Sequence, residues 1–377
     1  MNEPKLRFKA DSETPFPDWE EKKIGELGTF TKGAPLSKAD KKYYSHVGDV
    51  VIPTSGETAE EISTATCVMA QNVILAGDLN IYRSDIVDGR IMSYILNHQA
   101  KWKIATLAQG KSVVHIQAAQ LSGVAVKYPP STVEQQKIAS LFTELDTLIQ
   151  SAEKELEGYR ELKRGMLQKM FPKKGELVPE IRFPEFEGDW EQRKLGDVTE
   201  VITKGTTPHD KSWVGPVNYI RTESIDKETG LLSQTCATSI EEHEGYLKRS
   251  QLKENDVLFS IVGTMGRVGL VKSKDLPANT NQQIAIIRLK EMYPEFVLNA
   301  LKTPSIDSYV GIETTIGAQP SLSLWQIEKM EIPVPSYREQ EKIGVYFNNL
   351  DNLITLQQRE LDGYKELKKG LLQQMFC

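Results

Sequence analysis

Several things are scarce in this 377-residue chain, and each scarcity removes a class of protein. Its three cysteines, Cys67, Cys236 and Cys377, lie far apart without a CxxC spacing, so we read reduced thiols, neither a disulfide frame nor metal ligands. Histidine is rare, and His46, His98, His115, His209 and His243 show no paired metal-ligand spacing. No apolar run is long enough for a membrane span. The start, Met1-Asn2-Glu3-Pro4-Lys5, is charged and lacks the apolar segment of a signal peptide, which leads us to expect a cytoplasmic location. A basic excess is missing too, the net charge being −6. That gives nucleic-acid binding no support at the level of the whole chain, but a phosphate track needs only a local basic surface. The length exceeds what one core usually holds, so two domains are expected.

What the chain does have is a repeat. The run Lys137-Ile138 … Phe142 … Leu145-Asp146 … Gly158-Tyr159 … Glu161-Leu162-Lys163 … Met170-Phe171 returns as Lys342-Ile343 … Phe347 … Leu350-Asp351 … Gly363-Tyr364 … Glu366-Leu367-Lys368 … Met375-Phe376, at a constant offset of 205 (351 − 146). No gap interrupts it from Pro130 and Pro335 onward. An earlier pair precedes it: Trp19-Glu20 … Lys23-Ile24-Gly25-Glu26-Leu27 matches Trp190-Glu191 … Lys194-Leu195-Gly196-Asp197-Val198, and Thr31-Lys32-Gly33 matches Thr203-Lys204-Gly205. Two similar modules present two similar surfaces, which suits a target with two parts.

Each copy reads as a mixed α/β or α+β module followed by one long helix. Short β-rich runs (Val50 to Ile52, Val73 to Leu75, Val257 to Val262, Ile284 to Ile287) alternate with helical stretches (Ile91 to Asn97, Glu295 to Leu301) and proline- and glycine-rich turns. Ser131-x-x-Glu134 and Ser336-x-x-Glu339, each after a proline, form capping boxes that start the helices. Apolar residues then recur at three-and-four spacing: Ile138, Leu141, Leu145, Leu148, Ala152, Tyr159, Leu162, Met166, and in the second copy Ile343, Tyr346, Leu350, Leu353, Tyr364, Leu367, Leu371. This is a heptad seam interrupted at Glu155 and Glu360. A helix of roughly 35 residues extends about 50 Å and cannot bury such a stripe alone. We therefore expect the two helices to pack on each other, with Leu145, Leu148, Tyr159, Leu162, Leu350, Leu353, Tyr364 and Leu367 as contact residues. Packing of each helix on its own module, or on another subunit, is the alternative. Gly158 and Gly165, and likewise Gly363 and Gly370, mark either a close backbone approach or helix fraying, since helical glycine costs about 1 kcal/mol relative to alanine. The resulting boundaries are a shortened first module over 1–130, a helix over 131–171, a linker over 172–186, a second module over 187–335 and a second helix over 336–377.

Enzymatic motifs fail one by one. Gly110-Lys111-Ser112 looks like the end of a phosphate-cradling loop, but its first glycine would fall at Ala105, and the duplicate reads Gly317-Ala318-Gln319-Pro320-Ser321. Gly263 to Gly269 has the wrong spacing for a dinucleotide fingerprint and suits a tight turn. The Asn-Pro-Pro-aromatic signature of amino-methyltransferases is absent. Polar and basic loops remain. Their candidate DNA contacts are Lys32, Ser55, Tyr82, Arg83, Arg90, Lys111 and Ser112 in the first module. In the second they are Lys204, Thr206, Thr207, Tyr219, Arg221, Thr264, Arg267, Asn281, Gln282, Gln319 and Ser321. Arginine, lysine and amide side chains pair with base edges, while hydroxyls and glycine amides suit phosphates.

With its two Trp-x-x-x-Lys-(Ile/Leu)-Gly-(Glu/Asp)-(Leu/Val) module starts, two Pro-Ser-x-x-Glu-Gln-x-Lys-Ile helix starts and two Gly-Tyr-x-Glu-Leu-Lys-x-Gly-x-Leu-Gln-x-Met-Phe helix ends, the chain resembles the specificity subunit of a type I restriction–modification enzyme. The resemblance implies two target recognition domains, each reading one half of a bipartite DNA sequence. It also implies an antiparallel coiled coil that sets the spacer, with a pseudo-twofold internal repeat. By that resemblance the chain is non-catalytic and holds no cofactor. It recruits two modification subunits, which methylate adenine N6 with S-adenosylmethionine, and through them restriction subunits driven by ATP and Mg2+. The rival readings are a coiled-coil scaffold without DNA recognition and a self-sufficient nuclease or methyltransferase. One departure stands out. Thr31 to Asp49 spans 18 residues where Thr203 to Asp256 spans 53, so the first module lacks about 35 residues (53 − 18) where the family pattern expects strands and a DNA-facing loop.

Overall fold

Ser131 and Ser336 accept from the amides of Glu134 (3.3 Å) and Glu339 (3.4 Å), and from these caps run two long helices, Thr132–Lys169 and Tyr337–Phe376. Half of each expected capping box is put to another use. The carboxylate of Glu134 takes the guanidinium of Arg7 (3.0 and 2.9 Å), and that of Glu339 takes Arg182 (2.8 and 2.8 Å). Both glutamates are fully buried, so the bidentate charge-assisted pairs replace water at the helix starts. Pro4-x-x-Arg7-Phe8 and Pro179-x-x-Arg182-Phe183 are thus a further repeat.

The computed structural model describes residues 4–10, 15–33, 44–75, 77–110, 112–314 and 320–376. It divides into two units, Met1–Ala152 with Glu360–Cys377, and Glu153–Arg359. Each unit therefore holds one module, the near part of one long helix and the far part of the other. In the first unit Phe142 lies 6.2 Å from Phe376, and Asp146 accepts from Lys368 at 2.5 Å. In the second, Phe171 lies 6.0 Å from Phe347, and Asp351 accepts from Lys163 at 2.5 Å. Within each unit the start of one helix meets the end of the other, which is antiparallel pairing.

The seam differs from the one read in the sequence. Buried or half-buried positions run Ile138, Phe142, Leu145, Ile149, Ala152, Leu156, Tyr159, Lys163, Met166 and Met170, alternating steps of four and three without interruption. The repeat gives Ile343, Phe347, Leu350, Ile354, Gln357, Leu361, Tyr364, Lys368, Leu371 and Met375. Both tracks share one position in every seven. The expected track breaks at Glu155, whereas the observed one places Leu156 there. Leu148, Leu162, Leu353 and Leu367, expected as contacts between the helices, are 44%, 40%, 41% and 51% exposed. The helices pass intact through Gly158, Gly165, Gly363 and Gly370, and a Cβ at any of them would meet nothing within 4 Å. Neither close approach within the chain nor fraying accounts for these glycines.

Each module is a four-stranded antiparallel sheet with the same strand order. In the first unit the order is Thr29–Lys32, Leu79–Arg83, Asp49–Pro53, Thr66–Val68. In the second it is Thr199–Lys204, Ile284–Leu289, Val257–Ser260, Val268–Leu270. Helices Gly89–Asn97 and Pro294–Ala300 supply Ile91, Ile95, Phe296 and Val297 to the two cores. Val73 to Leu75 makes no strand, only an isolated bridge between Ile74 and Tyr44, because Val73 and Ile74 are exposed. The second unit adds a three-stranded sheet, Ala237–Thr238, Val217–Ile220 and Ala278–Thr280, two of whose strands come from the stretch that is short in the first module. The segment expected as a linker over 172–186 is anchored in this unit by Ile181 donating to the Lys169 carbonyl (2.8 Å) and by the Arg182 pair.

One buried cluster joins the second module to the helices inside the second unit. Lys163 and Asp351 are only 4% and 8% exposed, against 24% and 40% for Lys368 and Asp146. The difference comes from a loop at Asp226–Gly230. The carbonyl of Glu228 accepts from Lys163 and from Lys302 (3.0 Å), and the Glu228 carboxylate takes Arg160 at 2.8 Å. Burial pushes the Asp351 carboxyl up, and it pushes the Lys302 ammonium down to about 7, with Lys163 adding to the effect and Asp351, Asp226 and Glu228 opposing it. A lysine whose folded value lies below its unfolded value binds its proton better in the unfolded chain. It disfavours folding fully below about pH 7, and the penalty fades as pH rises from there. Lys302→Met is therefore expected to raise the urea-unfolding midpoint more at pH 6 than at pH 9; equal gains at both would refute this account. Gly158→Ala and Gly363→Ala should each stabilise the chain by about 1 kcal/mol in the same assay, since nothing in the chain meets the new methyl group.

Candidate nucleic-acid interface

In the second unit, the loop following strand Thr199–Lys204 is held against the strand Ala278–Thr280. Gly205 passes so close that a Cβ would lie 2.1 Å from the Thr280 carbonyl oxygen, which requires glycine. The Thr206 amide donates to Thr280 O at 2.8 Å, and the Tyr219 hydroxyl donates to Thr206 O at 2.8 Å. Thr207 Oγ1 donates to the Gln282 side-chain oxygen. The loop's far end is fixed by Glu242, whose Oε1 accepts from the amides of His209 (3.1 Å) and Asp210 (3.3 Å), while the His209 ring stacks on Tyr246 at 3.8 Å. The turn Asn281–Gln283 closes on itself through Asn281 Oδ1 accepting from the Gln283 amide at 3.0 Å. Gln283 O then accepts from Ile261 N at 2.8 Å, which brings up the turn carrying Thr264, and Val262 bridges Ser321. The structure thus gathers Lys204, Thr206, Thr207, Asn281, Gln282, Thr264 and Ser321 from the ends of adjacent strands.

Other expected contacts are turned to structural work. Tyr219 is buried and braces Thr206, its phenol pushed upward by burial. Tyr82 is likewise in the core, against Phe30 at 5.2 Å. Arg83 forks onto Asp49 at 2.6 and 2.8 Å across the first sheet, and Arg288 repeats this on Asp256 at 2.8 and 2.7 Å in the second. Arg90 is held by Asp88 at 3.0 and 2.7 Å. Arg267 points inward, donating to the carbonyls of Thr222 (3.3 Å) and Ile225 (2.9 Å). Arg83 and Arg90 thus have their forks on carboxylates, while Arg267 is committed through Nη1 and its Nε is buried without a partner among the described residues. Arg221 is intermediate: its Nε faces Glu223 at 2.9 Å, its Nη1 meets Cys236 Sγ at 3.5 Å, and it lies 5.4 Å over the Trp213 ring.

In the first unit Lys32 and Ser112 are exposed and Ser55 is half-buried, paired with His115 in a two-residue ladder. Lys111 and Gln319 lie outside the described residues. Sequence reasoning passed over Arg249, whose Nε donates to Thr206 Oγ1 at 3.2 Å, and its exposed neighbour Lys248. The only signal was a pair of basic residues following the acidic run Glu241-Glu242-His243-Glu244.

Residues 187–363 match the family described as type I restriction modification DNA specificity domain. Along nearly its whole length the chain is similar to the type I restriction enzyme MjaVIII specificity subunit of Methanocaldococcus jannaschii, 20% identical over 94% of this chain and 91% of the relative. The first half repeats the helix and module-start motifs of the second. Residues 187–363 thus carry that domain, and the chain as a whole is similar to type I restriction–modification specificity subunits. Its fold matches the solved S subunit from M. genitalium with a TM-score of 0.68 at 15% identity, covering 100% of this chain and 99% of that one. A second solved chain, from work on complex assembly and conformational transition of the type I R-M system, matches with a TM-score of 0.53 at 15% identity, over 96% of this chain and 99% of that one. The fold shared with these S subunits is a mixed helix and strand architecture with two long helices, Thr132–Lys169 and Tyr337–Phe376 in this chain.

The geometry separates polar residues engaged within the fold from those left open at the strand ends. Arg288→Ala should lower stability by roughly 3 kcal/mol by stranding the buried Asp256. It should leave DNA sequence preference unchanged. Gln282→Ala should do the reverse, and unfolding curves with competition binding on duplex variants distinguish the two.

Proposed function

We propose that each module reads one half of a bipartite duplex target and that the paired long helices set the unread spacer between the halves. The observation that carries this reading is the gap-free repeat of the helices beside the divergence of the module loops. Length and seam are kept at a constant offset, while the strand-end loops in the second unit gather side chains suited to base edges and phosphates. The chain acts as the recognition subunit and not as the catalyst. The chemistry belongs to partners: two modification subunits carrying S-adenosylmethionine for adenine N6 methylation, and restriction subunits using ATP and Mg2+. No described helix is long and apolar enough to cross a membrane, and we place the assembly in the cytoplasm with its DNA.

Exposed Leu148 and Leu367 in the first unit, and Leu162 and Leu353 in the second, support docking of two like partners. They lie within two residues of the Asp146–Lys368 and Lys163–Asp351 pairs, so each unit offers the same apolar positions beside the same ion pair. Apolar side chains kept exposed at equivalent positions in both copies suit an interface.

The direct test lengthens both long helices by one heptad each in the chain assembled with its modification subunits. The expected result is a methylated target with the same half-sites and a longer spacer. An unchanged spacer would sink the proposal.

A further inference from the structure

We propose that Arg249 is a base-reading side chain of the second module, taking a guanine edge in the major groove; this rests on the DNA-recognition reading above. Recognition of guanine by arginine needs two parallel N–H groups aimed at O6 and N7, with the guanidinium plane fixed before contact. Arg249 meets both conditions. Its Nε donates to Thr206 Oγ1 at 3.2 Å, which restrains the plane, and its two terminal nitrogens form no bond among the described residues. It is exposed and has no carboxylate partner among those residues. The other arginines of this module are engaged: Arg193 with Glu191, Arg221 with Glu223, Arg288 with Asp256, and Arg267 with backbone carbonyls.

The anchor itself is rigid, which separates Arg249 from an ordinary solvated arginine. Thr206 is fixed through its amide to Thr280, through its carbonyl to Tyr219, and by Gly205, whose tight fit leaves the loop no second course. Its neighbour Thr207 holds the Gln282 amide, a group of the kind that pairs with adenine. Lys204 and Lys248 are exposed within one or two residues of the Thr206–Arg249 bond, and neither forms an ion pair among the described residues. The arrangement is one fixed guanidinium fork and one amide flanked by ammonium groups, the composition of a base-reading patch with phosphate contacts at its rim.

The test selects a randomised duplex library on the full-length chain and compares the wild type with Arg249→Ala, Arg249→Lys and Thr206→Val. The expected result is that one G·C position specified by the wild type becomes degenerate with Arg249→Ala, its preference falling roughly ten- to a hundredfold. Lysine should restore affinity but not that preference, and Thr206→Val should weaken the same position alone. If every position stays specified with Arg249→Ala, the assignment is wrong. A uniform loss of affinity with a shallower salt dependence would make Arg249 a phosphate contact. A wild-type chain that selects no sequence at all overturns the recognition reading, and the Arg249 assignment with it.

Discussion

Two helices of nearly equal length each carry an apolar stripe with one lysine in it, and the need to bury that stripe without stranding the lysine shapes the molecule. Lys163 and Lys368 occupy equivalent seam positions, and the carboxylates that meet them, Asp351 and Asp146, come from the opposite helix at equivalent places in the repeat. A buried ion pair adds little net stability over an apolar contact, but a one-heptad slip would leave both charges unpaired. Its contribution is to register. Antiparallel packing in one alignment satisfies both lysines together, and it brings Phe142 to Phe376 and Phe347 to Phe171.

From this pairing the rest of each unit follows. A module sheet packs on the aromatic end of the helix pair, and the Arg7–Glu134 and Arg182–Glu339 forks tie the module entrances to the helix starts. The forks Arg83–Asp49 and Arg288–Asp256 then cross the two sheets at matching strands. Where the copies diverge, the divergence has a physical consequence for the frame. The Glu228 loop belongs to the stretch that is long in the second module, and it dries the Lys163–Asp351 pair and gathers Lys302 into the same cluster. The equivalent pair in the first unit stays partly solvated, so the two copies of one interaction carry different electrostatic loads.

Much of this architecture is legible in the sequence, because a constant offset and a serine cap are local signals. The sequence signals place the helix ends within two residues of Thr132–Lys169 and Tyr337–Phe376. The seam was read on the wrong track for a definite reason. Leu141, Leu148 and Leu162 look like better seam residues than Phe142, Ile149 and Lys163, and only knowledge of Asp351 makes a lysine acceptable inside. Side-chain fates in the loops were hidden for the same reason. Arg83 looks like a base reader until Asp49, 34 residues away, closes on it, and Tyr219 looks like a surface aromatic until Thr206 takes its hydroxyl. Arg249 is hidden in the sequence behind an acidic run, of which Glu242 is committed elsewhere, its Oε1 accepting from the His209 and Asp210 amides.

On the proposed reading, a chain of net charge −6 has to recognise a polyanion, and the distribution of its cations bears on how these requirements coexist. Many of the arginines are paired within the fold, with Glu134, Asp49, Asp88, Glu339 and Asp256 among their partners. Those charges hold helix starts and sheets together and contribute little field at the surface. Attraction of any duplex regardless of sequence scales with the phosphates that free cations can neutralise, so committing arginines internally keeps that indiscriminate affinity low. Among the described residues near the second module's strand ends, Lys204 and Lys248 are exposed without an ion pair and Arg249 is exposed without a carboxylate partner, beside the Gln282 amide. Discrimination between sequences is a ratio of affinities, and a weak sequence-independent background enlarges that ratio as effectively as a strong base contact does. On the proposed reading the internal forks therefore contribute to discrimination, since each guanidinium they hold is one that cannot bind the wrong DNA.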